Sequence, residues 1–241
     1  MKKLIYSLIF LTVLFSCKKD DVQYYEEQDP VTDIDGNVYE TVKIGDQIWM
    51  AENLRVTKYR NGDALKNITD GKEWCSTSGG RYCSYNNDES LIPEYGLLYS
   101  LSAVTDIRNI APEGWHIATD TEWETLKDYI ISFPKRYGDL SKALSAKYGW
   151  KESNDRFPCS PGYDMESNNS SGFSAVGGGI RNGSSHTGSF EYFNIWGCWY
   201  SIRDGQYKNQ GYWFMLSSKN YLLRYEYWEV NGFYVRCVKD L

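Results

Sequence analysis

Six cysteines, two histidines and scattered acidic residues are the groups in this 241-residue chain that could do chemistry, and their spacing decides what each can do. The cysteines include no Cys-x-x-Cys pair, and His116 and His186 stand beside none of them. Zinc ligation and a Cys/His nucleophile pair therefore have little support. His116 is expected to pack and hydrogen-bond near a helix entrance, because no partner Cys or Ser stands at triad spacing. Glu122 and Glu124, two apart on a predicted helix, point in different directions, and Glu122 is engaged in capping; paired-carboxylate catalysis is not expected. Asp33, Asp35 and Asn37 resemble part of a calcium loop. However, Gly36 comes too early and no Glu stands at the twelfth position, so turn chemistry explains them better. The run Gly177-Gly178-Gly179 lacks the Lys and helix that a phosphate cradle needs and reads as a tight sheet turn. No catalytic residue, metal or cofactor is assigned, and the chain is not expected to be an enzyme.

The aromatic surplus is the stronger functional signal. Aromatics make up 16% of the chain, with Tyr 21 and Trp 9, and they crowd the C-terminal third. Tyr192, Trp196, Trp199, Tyr200, Tyr207, Tyr212, Trp213, Tyr225, Tyr227 and Trp228 are too many for one side of a small sheet. Some should face solvent or a groove, where rings stack on sugars or on protein and Tyr hydroxyls add polar specificity. Trp196, Trp199, Tyr207, Tyr212, Trp213, Tyr225 and Trp228 are the candidate ligand-binding set. The competing reading is that alternate residues fill the core and a helix-covered face.

At the N-terminus, Lys2 and Lys3 precede an apolar run over residues 4–15, too short to span a bilayer but the right length for a secretory signal. Leu14-Phe15-Ser16-Cys17 resembles a bacterial lipobox, which implies removal of residues 1–16 and acylation of Cys17. Lys19-Asp20-Asp21 resembles the surface-export signal of Bacteroidetes lipoproteins. The expectation is a lipid-anchored outer-membrane protein, surface-exposed, on an acidic flexible tether over residues 17–30. A formal net charge of −6 gives no general attraction to nucleic acid. Five cysteines then remain in an oxidising compartment, an odd number. Cys75 and Cys83 flank Gly79-Gly80, which can turn a hairpin between them, and are the expected local disulfide. Cys159, Cys198 and Cys237 supply one further pair, which spacing does not choose, and one free thiol.

The elements that must position these residues read as follows. Residues 31–50 alternate as a short strand, a turn and a hairpin about Gly45-Asp46. Residues 53–92 are weakly patterned loops, and 95–105 a buried strand running into a short helix. Thr119-Asp120-Thr121-Glu122 is a capping box opening a helix with Trp123, Leu126 and Ile130 on one face. A second helix is expected over 139–148, with Leu140, Ala143 and Leu144 inward and Gly149 ending it. From residue 172 on, runs at 173–180, 192–202, 212–217, 221–228 and 233–238 read as antiparallel strands, with Cys237 on the core side. No internal linker interrupts residues 31–241, which predicts one α+β domain, mainly antiparallel sheet with two helices.

Several ordered segments resemble the Fibrobacter succinogenes major paralogous domain, a family of secreted and lipid-anchored bacterial proteins. They are Asp35-Gly36-Asn37-Val38-Tyr39, residues 42–54 ending Trp49-Met50-Ala51-Glu52-Asn53-Leu54, Tyr95-Gly96-Leu97-Leu98-Tyr99, Pro112-Glu113-Gly114-Trp115-His116 and Thr119-Asp120-Thr121-Glu122-Trp123-Glu124. Gly172-Phe173-Ser174-Ala175, Gly178-Gly179-Ile180-Arg181 and Asn231-Gly232-Phe233 leading to Val235-Arg236-Cys237-Val238-Lys239-Asp240 complete the set. Through its similarity to the formylglycine-generating-enzyme group the resemblance implies a C-type-lectin-like scaffold whose loops carry any binding surface. Ala111 stands where the family commonly has Cys, which leaves Cys237 to meet Cys198 or Cys159. The implied function is a non-catalytic binding or adhesion module for a glycan or an extracellular protein. A structural subunit of a surface assembly is the alternative; an enzyme of the formylglycine-generating type is less expected, because no paired Cys lies in a matching loop.

Overall fold

The computed structural model describes residues 25–153, 157–184, 186–203, 206–216, 218–226 and 230–240. In chain order the elements are β1 (Glu26–Thr32), β2 (Val38–Ile44), β3 (Gln47–Met50), β4 (Lys66–Asn67), α1 (Gly71–Ser76), β5 (Arg81–Cys83), α2 (Ile92–Tyr95), β6 (Leu98–Ser100), α3 (Leu101–Val104) and β7 (Trp115–Ile117). They continue as α4 (Asp120–Ser132), α5 (Pro134–Tyr137), α6 (Leu140–Leu144), β8 (Ile180–Asn182), β9 (Ser189–Glu191), β10 (Trp196–Arg203), β11 (Gln206–Leu216), β12 (Leu223–Glu226), β13 (Gly232–Phe233) and β14 (Cys237–Lys239). Three sheets run in the orders β1-β2-β3-β14-β7, β4-β5-β6-β13-β8-β9 and β10-β11-β12, antiparallel throughout except for β4 on β5. The molecule is thus α+β and mostly antiparallel, as expected.

The local sequence explains where these elements begin and end. The β2–β3 hairpin turns at Gly45, whose φ of +63° suits a residue without Cβ. The Thr119 hydroxyl accepts from the Glu122 N–H at the start of α4 while the Glu122 carboxylate accepts from the Thr119 N–H at 2.8 Å, a complete capping box. Trp123, Leu126 and Ile130 of α4 are its buried residues, as the spacing predicts. The helix expected over 139–148 is only Leu140–Leu144: the Ala146 N–H donates to the Ala175 carbonyl and Ser145 bridges Ala175, so sheet-like pairing takes over. The expected strand over 173–180 is confined to its end, at β8. At the other end of the chain, β1 begins at Glu26 and pairs with β2, inside the stretch read as tether.

The core is built around Trp123. Its ring lies 5.0 Å from Trp49, 5.6 Å from Phe173, 5.9 Å from Trp199 and 6.1 Å from Trp213 between centroids. Helix α4 is thereby fastened to β3, β10 and β11 by aromatic area, which contributes more per residue than aliphatic packing. Beside this cluster sits Arg236, fully buried. Its guanidinium donates to Asn53 Oδ1 at 2.8 Å, to the Met50 and Phe173 carbonyls at 2.8 and 2.9 Å, and to the Ser174 carbonyl at 2.9 Å. Asn53 Oδ1 also accepts from Trp199 Nε1 at 2.8 Å, and Asn53 Nδ2 donates to the Tyr95 carbonyl. Burial pulls the Arg236 pKa down to about 9, which still leaves a cation at neutral pH, solvated by these oxygens in place of water.

Candidate binding site

The acid and base groups near the start of α4 are committed to one another. His116, on β7, bonds through Nδ1 to Asp240 Oδ1 at 2.6 Å and through Nε2 to Glu122 Oε1 at 2.7 Å. The bond to Glu122 raises the His116 pKa to about 9; burial opposes this and the Asp240 bond adds to it, so the ring is an imidazolium at neutral pH. Burial would raise the Glu122 carboxyl, but its bonds to His116 and Thr119 outweigh that and hold it below the ordinary range. Glu124 instead pairs with Lys127 along the helix. The structural role expected for His116 is therefore specific: it ties β7, the segment after β14 and the start of α4 together. A cleft of about 220 Å³ beside it is lined by Val104, Ile107, Ile117 and Ile202, among others.

The acidic turn near residue 33 is equally self-contained. Asp33 accepts from the N–H groups of Asp35 and Asn37, from Asn37 Nδ2 and, at 2.6 Å, from the Tyr39 hydroxyl. Asp35 accepts from the N–H and hydroxyl of Thr57 and pairs with Lys58. Among the described residues no group of three or more His, Cys, Asp or Glu could hold a metal ion.

Among the described residues no cysteine pairs. Cys75, Cys83, Cys159, Cys198 and Cys237 are all free. The expected hairpin between Cys75 and Cys83 does not form, because Gly71–Ser76 is a helix, with Asp70 Oδ1 accepting the Glu73 N–H, and Cys83 belongs to β5. Cys198 pairs across β10 with Phe214, and its carbonyl accepts from Tyr234, whereas Cys237 pairs with Ile117. Their backbones are thus held by different strands. Burial pushes the thiols of Cys83, to about 11, and of Cys198 and Cys237 upwards. Cys17 lies outside the described residues.

The candidate aromatics separate sharply. Trp199 and Trp213 are fully buried and Tyr200 nearly so, with its hydroxyl on the Asn231 carbonyl at 2.8 Å; these three fill the core, which corrects the groove reading for Trp199 and Trp213. Tyr207 and Tyr212 lie on β11, but their side chains, like Tyr227 and Trp228, fall outside the described residues. Tyr225, on β12, is exposed. Trp196 is half-buried and stacks face to face on the exposed Tyr192, with centroids 3.7 Å apart and planes 14° apart.

The backbone that presents Tyr192 is unusual. Tyr192 and Asn194 have φ of +62° and +57°, a region that bulky L-residues avoid and that persists only where surroundings over-determine it. Here they do: the Asn194 N–H donates to the Gly177 carbonyl, the Lys151 N–H to the Asn194 carbonyl, and the N–H groups of Ile195 and Trp196 both to the Tyr192 carbonyl. The glycine run supplies the room. A Cβ on Gly179 would lie 2.5 Å from the Glu191 carbonyl oxygen, and one on Gly177 3.0 Å from the Asn194 carbonyl carbon. Phe193 turns inward to stack on Tyr85 at 4.5 Å. The sequence shows Tyr192 and Trp196 as two aromatics among many; only the φ value and the stacking separate them from the rest. What the arrangement can do is offer a rigid ring, backed by a second, to a flat apolar surface.

A family model described as the Fibrobacter succinogenes major domain matches residues 42–239. No curated protein and no solved structure matches this chain.

Proposed function

We propose, from the premise that the chain belongs to the Fibrobacter succinogenes major domain family, that it is a non-catalytic binding module for a glycan, held at the outer surface of the cell. In this reading lipid on Cys17 anchors the domain in the outer membrane, and a C-type-lectin-like scaffold carries the binding surface at the loop before β10. The observation that supports it is the strained, pinned Tyr192 stacked on Trp196. Backbone strain at an exposed ring is retained where the ring's position matters, and a pre-set aromatic face loses little entropy when a sugar ring stacks on it. The engagement of His116 and Glu122 in bonds to other protein groups favours binding over acid–base catalysis.

A second reading, contact with a protein partner in a surface assembly, is favoured by β12, an edge strand among the described residues whose Leu223 and Tyr225 are exposed. A glycan array with the mature protein, repeated with Tyr192→Ala, separates the two. Glycan binding weakened by about tenfold or more in the variant supports the proposal. No glycan bound, or equal binding by both proteins, overturns it.

A further inference from the structure

The chain contains three Asn-Gly pairs, at Asn61-Gly62, Asn182-Gly183 and Asn231-Gly232, and the fold treats them very differently. An Asn followed by Gly is open to self-reaction, because the glycine nitrogen can attack the asparagine side chain when the two can be brought together. We propose that Asn61 is a site of spontaneous deamidation in the folded protein, yielding aspartate and isoaspartate at the tip of the hairpin spanning residues 58–64.

The hairpin is closed by the Lys58–Ala64 bridge and by the Tyr59 N–H donating to the Asp63 carbonyl at 2.8 Å. At its tip the Asp63 N–H donates to Asn61 Oδ1 at 3.1 Å, and Asn61 Nδ2 donates to Asp63 Oδ2 at 3.0 Å. This Asx turn folds the side chain across Gly62 onto the backbone two residues on. Asn61 and Gly62 are exposed, Gly62 has φ of +91°, and a Cβ there would meet nothing within 4 Å. A five-membered ring and the water that opens it therefore have space. The restraints on the reacting groups, the Gly62 N–H on the Tyr59 carbonyl at 2.8 Å and the two Asn61 side-chain bonds to Asp63, are all hydrogen bonds within an exposed turn.

The other two pairs lack that space. Asn182 also makes an Asx turn, through the Ser184 N–H at 2.9 Å, so turn geometry alone does not choose between them. Gly183, however, is buried: its N–H is held by Asn231 Oδ1 at 2.9 Å, and a Cβ on it would lie 2.0 Å from the Val230 carbonyl oxygen. Asn231 is itself buried, and Gly232 packs on the Trp74 ring within β13.

The chemistry needs only water. The Gly62 nitrogen gives its proton to hydroxide or water and bonds to Asn61 Cγ; the Cγ–Nδ2 bond breaks as Nδ2 takes up a proton from water, and ammonia leaves. Water then adds to one of the two carbonyls of the succinimide, opening it to aspartate or, by the other route, to isoaspartate. No electron is gained or lost overall. The product has no Nδ2 to donate to Asp63 and sets a second carboxylate beside it. Asp63 holds Arg108 at 2.9 Å, and Arg108 also binds Asp106 and lies 3.9 Å over the Tyr59 ring. Deamidation thus removes the Asn61 bond to Asp63 and adds a negative charge beside the Asp63–Arg108 pair that links this hairpin to the loop that follows α3.

The test is peptide mapping by mass spectrometry after incubating the full-length protein at mildly alkaline pH, with ammonia release measured in parallel. The Asn61 peptide should gain one dalton about tenfold faster than either other pair, equivalent to about 1.4 kcal/mol in activation free energy. Isoaspartate should appear alongside aspartate, and Asn61→Gln should remove the early ammonia. The proposal is overturned if Asn182 or Asn231 converts as fast as Asn61. It is equally overturned if Asn61 stays intact while a synthetic peptide spanning residues 58–64 reacts.

Discussion

Arg236 and His116 show how single residues that look functional are used to hold this fold. The Arg236 guanidinium donates to backbone carbonyls and Asn53, which surround its charge, and the Phe173 ring lies 4.7 Å from the guanidinium carbon. Asn53, Phe173, Ser174 and Arg236 all belong to the segments that carry the family resemblance, so those motifs specify a buried junction rather than a ligand site. His116 behaves similarly, but it titrates. Its folded pKa, about 9, lies above its ordinary value of 6.5, so the stabilisation is fully present below 6.5 and is lost as pH rises through 9. Glu122 is shifted the other way, and its contribution fades as pH falls below the ordinary carboxylate range. The His116 side chain is 35% exposed, so solvent screening reduces the effect to about 1 kcal/mol. Between pH 6.5 and 9 the native protein should therefore lose about that much more stability against urea than His116→Gln does, the buried thiols titrating alike in both. Parallel slopes in the two proteins would show that the clamp contributes nothing.

Elements with strong local signals were legible from sequence, and those fixed by distant contacts were not. The α4 capping box, the β2–β3 hairpin and strands β10 and β12 rest on caps, turns and alternation that a few neighbouring residues supply, whereas the run that reads as one strand over 233–238 is split between β13 and β14 in different sheets. Residues 139–148 carry a helical pattern, yet pairing with residue 175 stops the helix after Leu144, a contact no local window contains. The stretch between Cys75 and Cys83 misled for the same reason: Asp70 starts a helix there, and Trp74 of that helix is drawn into the core, its Nε1 donating to the Val230 carbonyl at 3.1 Å. The glycine run reads as a tight sheet turn, but it carries no turn: it leads into β8 with its backbone bonded to Gly149, Asn194 and Trp196, and its task, making room for the strained loop at Tyr192, has no local signal. That task can be measured. A Cβ on Gly178 would sit 2.5 Å from the Tyr234 ring, whose hydroxyl donates to the Gly178 carbonyl at 2.9 Å, and both are buried. Gly178→Ala should cost about 1–3 kcal/mol by overpacking, seen as a lower urea midpoint at unchanged slope. A loss within about 0.5 kcal/mol would mean that the Tyr234 ring moves aside freely.

For the molecule as a whole, the cysteines and the aromatic core bear on one question: what holds the domain together. Small secreted domains lean on disulfides because they cannot bury enough apolar surface, but a domain of about 200 residues buries roughly 70% of its chain surface and needs no such staple. Here Trp49, Trp123, Trp199, Trp213 and Phe173 form a continuous buried cluster, and the cysteines fall where the packing leaves them. Cys83, Cys198 and Cys237 are buried, with thiols whose pKa burial raises, so they are protected from oxidation by inaccessibility and by lack of thiolate. Cys75 and Cys159 are half-buried. This arrangement replaces the sequence expectation of a local disulfide and one leftover thiol with a definite count. Titrating protein isolated from cells without reductant, after denaturation, should find the five thiols of Cys75, Cys83, Cys159, Cys198 and Cys237 free. In the native protein Cys75 and Cys159 should react first, and the other three only as fast as the domain unfolds. Finding one or three thiols would mean that a bridge forms in the cell, and that the placements of the paired cysteines must change to allow it.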